Sequence, residues 1–141
     1  PDYDVSTDAQ CEPELLQLQK ISQTCSLEIV SEFNCSNNKP FLTEKIGRSI
    51  VMKNPFIILG DAGSLEELRS LGFRTFSKWI DESYDTVLDV KTRIDTALSA
   101  AQDCDLMTYD EELYETLDYN YNLYFSEFRE QQTTILRNIF Q

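Results

Sequence analysis

A chain of 141 residues, 41% apolar and carrying eight phenylalanines and seven tyrosines, is long enough for one hydrophobic core and too apolar for a disordered segment. Its net charge of −13, from 25 acidic and 12 basic residues with no histidine, argues against nucleic acid and against an anionic membrane surface, since both are held through lysine and arginine. The charge is uneven: residues 39–93 hold nine bases and eight acids, about +1, and the rest holds 17 acids and three bases, −14. A near-neutral centre accepts an anionic ligand that the flanks repel.

In chain order, residues 1–24 read as an acidic lead-in and a short helix, "EPELLQLQKIS", with Leu15, Leu18 and Ile21 on one face. The chain opens on Pro1 rather than Met, with no signal peptide or membrane span, and so reads as a piece of a longer protein or as a processed one. Residues 25–103 read as an α/β domain. "CSLEIVSEF", Cys25 to Phe33, is β-branched and apolar enough for a strand, and "NCSNNKP" behind it is a polar loop. Thr43 caps a helix near 43–53, with Glu44 in its first turn and Ile46 and Ile50 as its apolar stripe. "NPFIIL", Asn54 to Leu59, is a continuous apolar run stopped by Gly60, the pattern of a strand buried on both faces of a parallel sheet.

"SLEE", Ser64 to Glu67, has the spacing of a capping box and opens a helix over 64–71 marked by Leu65, Leu68 and Leu71. Gly72 stands where a left-handed terminator belongs, and Phe73 to Phe76 reads as a short extended piece. After "DESYD", Asp81 to Asp85, with Asp85 as a natural N-cap, the spacing of Val87, Val90, Ile94, Ala97, Leu98 and Ala101 predicts a helix over 86–102. In residues 104–141, Leu113, Leu117, Tyr121, Tyr124, Phe125 and Phe128 recur at helical intervals. The expected fold is α/β: a small, mainly parallel Rossmann-like sheet flanked by helices, with a helical C-terminal third.

Ligands of open α/β sheets bind outside the carboxyl ends of the strands, where helix N-termini present free N–H groups. Two places qualify. At Thr43-Glu44-Lys45, Lys45 and the helix amides suit phosphate oxygens while Glu44 accepts from ribose hydroxyls; the competing reading is a simple cap with a solvated lysine. At Gly60-Asp61-Ala62-Gly63-Ser64, Gly60 and Gly63 let backbone approach a ligand closely; the competing reading is a tight turn. The three carboxylates of "DESYD" suit either a general base or cation site or a solvated loop. Cys11, Cys25, Cys35 and Cys104 form no CxxC pair, so neither a metal nor another cofactor is expected, and the thiols are expected to be reduced. The sequon Asn34-Cys35-Ser36 matters only in a secreted protein.

From Leu27 to Asp89, "LEIVSEF", "FLTEK", "NPFIILG", "LEELRSLGFRTF" and "IDESYD" follow in that order. This arrangement resembles the C-terminal, donor-binding region of GT-B glycosyltransferase-like proteins of the phage and large-virus type. More distantly it is similar to the nucleotide-sugar-binding half of α1,3-fucosyltransferases, which carry a comparable Thr-Glu-Lys at a helix start. The resemblance implies a nucleoside diphosphate sugar as ligand, with Glu44 at the ribose, Lys45 at the diphosphate and Arg48, one turn on, as a second cation. It implies metal-independent glycosyl transfer only together with an N-terminal domain that holds the acceptor, and a location in the host cytoplasm or the virion. The rival expectation is a non-catalytic viral structural or interaction protein that retains the α/β domain and offers its acidic, aromatic C-terminal helices to a protein partner.

Overall fold

The structure, a computed structural model, describes residues 27–32, 40, 42–104 and 110–139, with side chains of the last stretch described through 126. The short helix read in "EPELLQLQKIS" and the cysteines Cys11, Cys25 and Cys35 lie outside the described residues. The described chain is a small α/β fold. Strand β1 (Glu28–Ser31) leads through helix α1 (Glu44–Val51) to strand β2 (Phe56–Leu59) and helix α2 (Ser64–Ser70). A 3-10 turn (Ser83–Thr86), helix α3 (Val90–Asp103) and helix α4 (Glu111–Ile139) complete it.

The two strands pair in parallel, Glu28 opposite Phe56 and Ser31 opposite Leu59. A parallel pair requires a crossover, and α1 supplies it. Phe56, Ile57 and Ile58 are at most 2% exposed, which explains why β2 is apolar without alternation. Both outer edges of this narrow sheet carry side-chain plugs. The Tyr84 hydroxyl accepts from the Ile58 amide at 3.3 Å on the β2 side, and the Lys45 ammonium donates to the Ser31 carbonyl at 2.9 Å on the β1 side. Burial drives the Tyr84 phenol well above the usual tyrosine range, so it stays a neutral partner.

The helix ends follow local chemistry. Gly72 takes φ 90°, its amide donating to Arg69 O at 2.9 Å while the Phe73 amide donates to Leu68 O at 3.3 Å; this is the paired closure that the glycine predicts. Helix α1 closes in the same way on a lysine: Lys53 has φ 53°, and Lys53 and Asn54 donate to Ile50 O and Ser49 O at 3.1 and 3.0 Å.

Two local expectations are corrected. Ser64 and Glu67 form no capping box: Gly63, with φ 86°, is the N-cap, and the Ser64 hydroxyl donates to Asp61 O at 2.6 Å. Asp85 caps α2 rather than α3, accepting from the Leu65 and Glu66 amides at 2.9 and 3.2 Å, because the 3-10 turn draws it inward to 5% exposure. Asp89 caps α3 instead, accepting from the Thr92 amide at 2.9 Å. Phe73 to Phe76, read as a short extended piece, pairs with neither strand: the Arg74 amide and carbonyl are both met at 2.8 Å by the Asn120 side chain of α4, and the Phe76 amide by Glu82 at 2.6 Å. Side chains thus take the place of a third strand's backbone.

The core gathers Ile46 and Ile50 of α1, Leu65 and Leu68 of α2, Phe76, Tyr84, and Ala97 of α3 around β2. Phe56 and Phe76 meet edge to face at 5.1 Å. Helix α4 docks through Leu113, Leu117 and Asn120, and lies close to α1, where a methyl on Gly47 would stand 2.6 Å from the Tyr124 hydroxyl.

Candidate functional site

The two turns named by the sequence meet at Glu32. This residue directly follows β1, is 3% exposed, and donates its amide to Leu59 O at 2.7 Å, which extends the ladder by one step. Its carboxylate accepts from the Thr43 amide at 3.0 Å and from the Thr43 hydroxyl at 2.7 Å. The same hydroxyl accepts from the Lys45 amide at 3.3 Å, so Thr43 is the cap of α1 that the sequence calls for. Gly60 faces Glu32 from the other turn: a methyl there would lie 2.8 Å from Glu32 O and 3.0 Å from Ser64 Oγ. Sequence reasoning passed over Glu32. The available signal was a lone carboxylate closing an apolar strand.

Glu44, Lys45 and Arg48 line with Ile29, Val30 and Ser31 a depression of about 400 Å³ beside β1. Lys45 is exposed and, apart from Ser31 O, its ammonium has no partner among the described residues. The Glu44 carboxylate, also exposed, makes no hydrogen bond or ion pair among them. Arg48 differs, because its guanidinium is ion-paired to Glu28, whose other oxygen accepts from the Ser49 hydroxyl at 2.9 Å. It serves as a second cation only by leaving Glu28. On the opposite side of α1, Thr43 and Glu44 also border an apolar hollow of about 340 Å³ walled by Ile46, Gly47, Leu68, Phe73 and Tyr124. Glu44 therefore stands on the rim between a polar and an apolar depression.

Gly60, Gly63 and Ser64 do not line either depression. Their turn is tied inward, the Gly63 amide donating to Asp85 O at 2.8 Å and the first amides of α2 to the Asp85 carboxylate. A carboxylate of the chain itself thus takes the place that an external anion would occupy at this helix start. Arg93 of α3 braces the turn from below, its Nε donating to Gly60 O at 2.8 Å and its Nη1 to Val87 O at 2.7 Å.

The carboxylates of "DESYD" are all engaged within the chain, Asp85 by the α2 amides. Asp81 accepts from the Ser83 amide at 2.9 Å, which holds its carboxyl below the usual range. Glu82 accepts from the Phe76 amide, the Thr75 hydroxyl and Arg69; burial outweighs these and pushes its carboxyl up. At Asp89 the Thr92 hydroxyl and amide, followed by the charge of Arg93, hold the carboxyl low. Among the described residues no three cysteine, aspartate or glutamate side chains gather as a metal site, and Cys104 is half-buried, its Sγ donating to Ala101 O at 3.1 Å. No helix among them is long and apolar enough to cross a membrane. Set against protein-family models, curated proteins and solved structures, the chain matches none of them.

Proposed function

We propose that this chain is the donor-binding part of a GT-B-like glycosyltransferase, a Rossmann-like unit that takes a nucleoside diphosphate sugar at the carboxyl end of β1. One observation carries the reading: Glu44 and Lys45, adjacent at the start of α1, line one depression, and neither side chain is ion-paired among the described residues. A carboxylate for ribose hydroxyls and an ammonium for phosphate at adjacent positions are the groups such a ligand requires. The leaving diphosphate is stabilised by fixed cations and amides rather than by a metal. Transfer itself belongs to the protein that joins this unit to an acceptor-holding domain. Thermal-shift screening of the wild type against nucleoside diphosphates and their sugar conjugates tests the reading. A ligand at about 100 times its Kd adds roughly 2.7 kcal/mol, and a panel without any shift at millimolar concentration rejects it.

A second reading is favoured by Asp85. With its carboxylate already on the first amides of α2, the second turn has no donors to spare there for phosphate. This suits a non-catalytic structural or interaction protein that keeps the α/β core and presents α4, with exposed Tyr114 and Tyr119, to a protein partner. The absence of any nucleotide-induced shift, together with a stable complex formed through α4, supports it.

A further inference from the structure

The parallel ladder uses one side of β1. The Glu28 amide donates to Pro55 O at 2.9 Å and the Glu32 amide to Leu59 O at 2.7 Å. By the alternation of an extended chain, Glu28, Val30 and Glu32 therefore turn their main-chain groups to β2, and Ile29 and Ser31 turn theirs outward. At the other outer edge of the sheet the Ile58 amide is closed by Tyr84, which is 1% exposed. Along β1 only the Ser31 carbonyl is met, by the ammonium of the exposed Lys45; the amides of Ile29 and Ser31 and the Ile29 carbonyl have no hydrogen-bond partner among the described residues. They open on the depression of about 400 Å³ that Ile29, Val30 and Ser31 line with Lys45 and Arg48, and Ile29 itself is 47% exposed. A strand edge in this state is a template for one more extended segment.

The two faces of that edge differ. Glu28 accepts from Ser49 of α1 at 2.9 Å and Glu32 from Thr43, its cap, at 2.7 Å, which puts α1, and with it Lys45 and Arg48, over the face of these even-numbered residues. Ile29 and Ser31 stand on the opposite face. A segment that pairs here needs carboxylates at alternate positions for the two cations, and apolar or β-branched residues between them, beside Ile29. Outside the described residues, Asp2 to Asp8 has that pattern: Asp2, Asp4, Ser6 and Asp8 alternate with Tyr3, Val5 and Thr7, and the stretch carries a charge of −3. The 18 residues between Asp8 and Leu27, at up to roughly 3.3 Å each, give it ample reach to either end of β1. The β1 strand of a second copy is a poorer fit, because it would bring its own Lys45 and Arg48 to the same edge.

We infer that the open edge of β1 is the docking place of the chain's own residues 2–8, added to the sheet as a further strand, with their carboxylates on the side of Lys45 and Arg48 and Tyr3, Val5 and Thr7 on the side of Ile29. Lys45 then exchanges the Ser31 carbonyl for a carboxylate, and the carbonyl takes a ladder amide in its place. This docking is independent of the donor-site reading, although a docked segment and a diphosphate compete for Lys45. Hydrogen exchange of the full chain, followed amide by amide by NMR, tests it. The amides of Ile29 and Ser31 are expected to exchange about tenfold or more slowly than unprotected amides, at a rate independent of protein concentration. Val5→Pro and Ser6→Pro, one of which removes a ladder donor whatever the register, are expected to return both amides to the unprotected rate. The Val30 amide faces β2, so its unchanged protection shows that each variant is folded. Unprotected Ile29 and Ser31 amides in the wild type, protection that survives both proline variants, or protection lost on dilution, the mark of a second copy, overturns the docking.

Discussion

Asp85 shows how much one side chain settles at the residue scale. Its carboxylate is the only acceptor described for the Leu65 and Glu66 amides, and it lies almost wholly out of water. Asp85→Ala strands two buried or half-buried donors at a helix start, and the expected cost is about 2 kcal/mol or more; urea unfolding of the two proteins measures it. Glu82 gives a pH dependence of definite sign. Burial raises its pKa in the folded protein, so between the ordinary glutamate value and the raised one the native state binds more protons than the unfolded state. Its contribution to stability therefore falls as pH rises from the ordinary glutamate range upward. Asp81, Asp89 and Asp110, all held low, act in the opposite sense, and their stabilisation is lost only as pH drops below the ordinary aspartate range. Midpoints of thermal unfolding across pH 4 to 7 for wild type and Glu82→Gln check this, and the variant is expected to lose the decline on the alkaline side.

At the scale of elements, legibility depended on whether a segment's partners lay close in the sequence. Strand β2 was readable because Pro55 to Leu59 is apolar throughout and Gly60 ends it; the C-cap at Gly72 was readable because only local backbone decides it. Phe73 to Phe76 reads as extended from its own residues, but that its backbone bonds go to Asn120, 46 residues on from Arg74, no local pattern announces. Asp85 was assigned to the helix that follows it in sequence, whereas its partners lie 20 and 19 residues earlier. The site was legible in the same measure. Thr43, Glu44 and Lys45 read correctly as a helix start beside a strand end, while Glu32 and the Arg48–Glu28 pair depend on contacts across 11 and 20 residues. The packing of α4 on α1 carries its own test. Gly47→Ala gains helix propensity, about 1 kcal/mol, but sets a methyl 2.6 Å from the Tyr124 hydroxyl. The substitution is expected to destabilise the wild type and to stabilise a Tyr124→Ala background, a change of sign that a double-mutant cycle by chemical denaturation reads directly.

Over the whole molecule, the contrast between a near-neutral centre and acidic flanks has two uses. Part of it is structural: Lys53 pairs with Asp118 at 2.7 Å, Lys78 with Glu112 and with Asp110 at 3.6 Å, and Arg74 stacks 4.0 Å from the Tyr119 ring, so central cations fasten the acidic helix α4 to the α/β body. These are exposed contacts, each worth at most about 1 kcal/mol. Of the cations left over, Lys45 lies exposed where β1 passes to α1. The donor-site reading rests on that remainder, and Lys45 tests it most directly. Wild type and Lys45→Ala are titrated calorimetrically with the nucleoside diphosphate that gives the largest thermal shift, and their melting temperatures are compared without ligand. The expected result is a loss of roughly 1.5–3 kcal/mol in binding, about ten- to a hundredfold in Kd, with the unliganded melting temperature nearly unchanged. Equal affinity in the two proteins, or a variant that melts well below the wild type while binding as tightly, would contradict it.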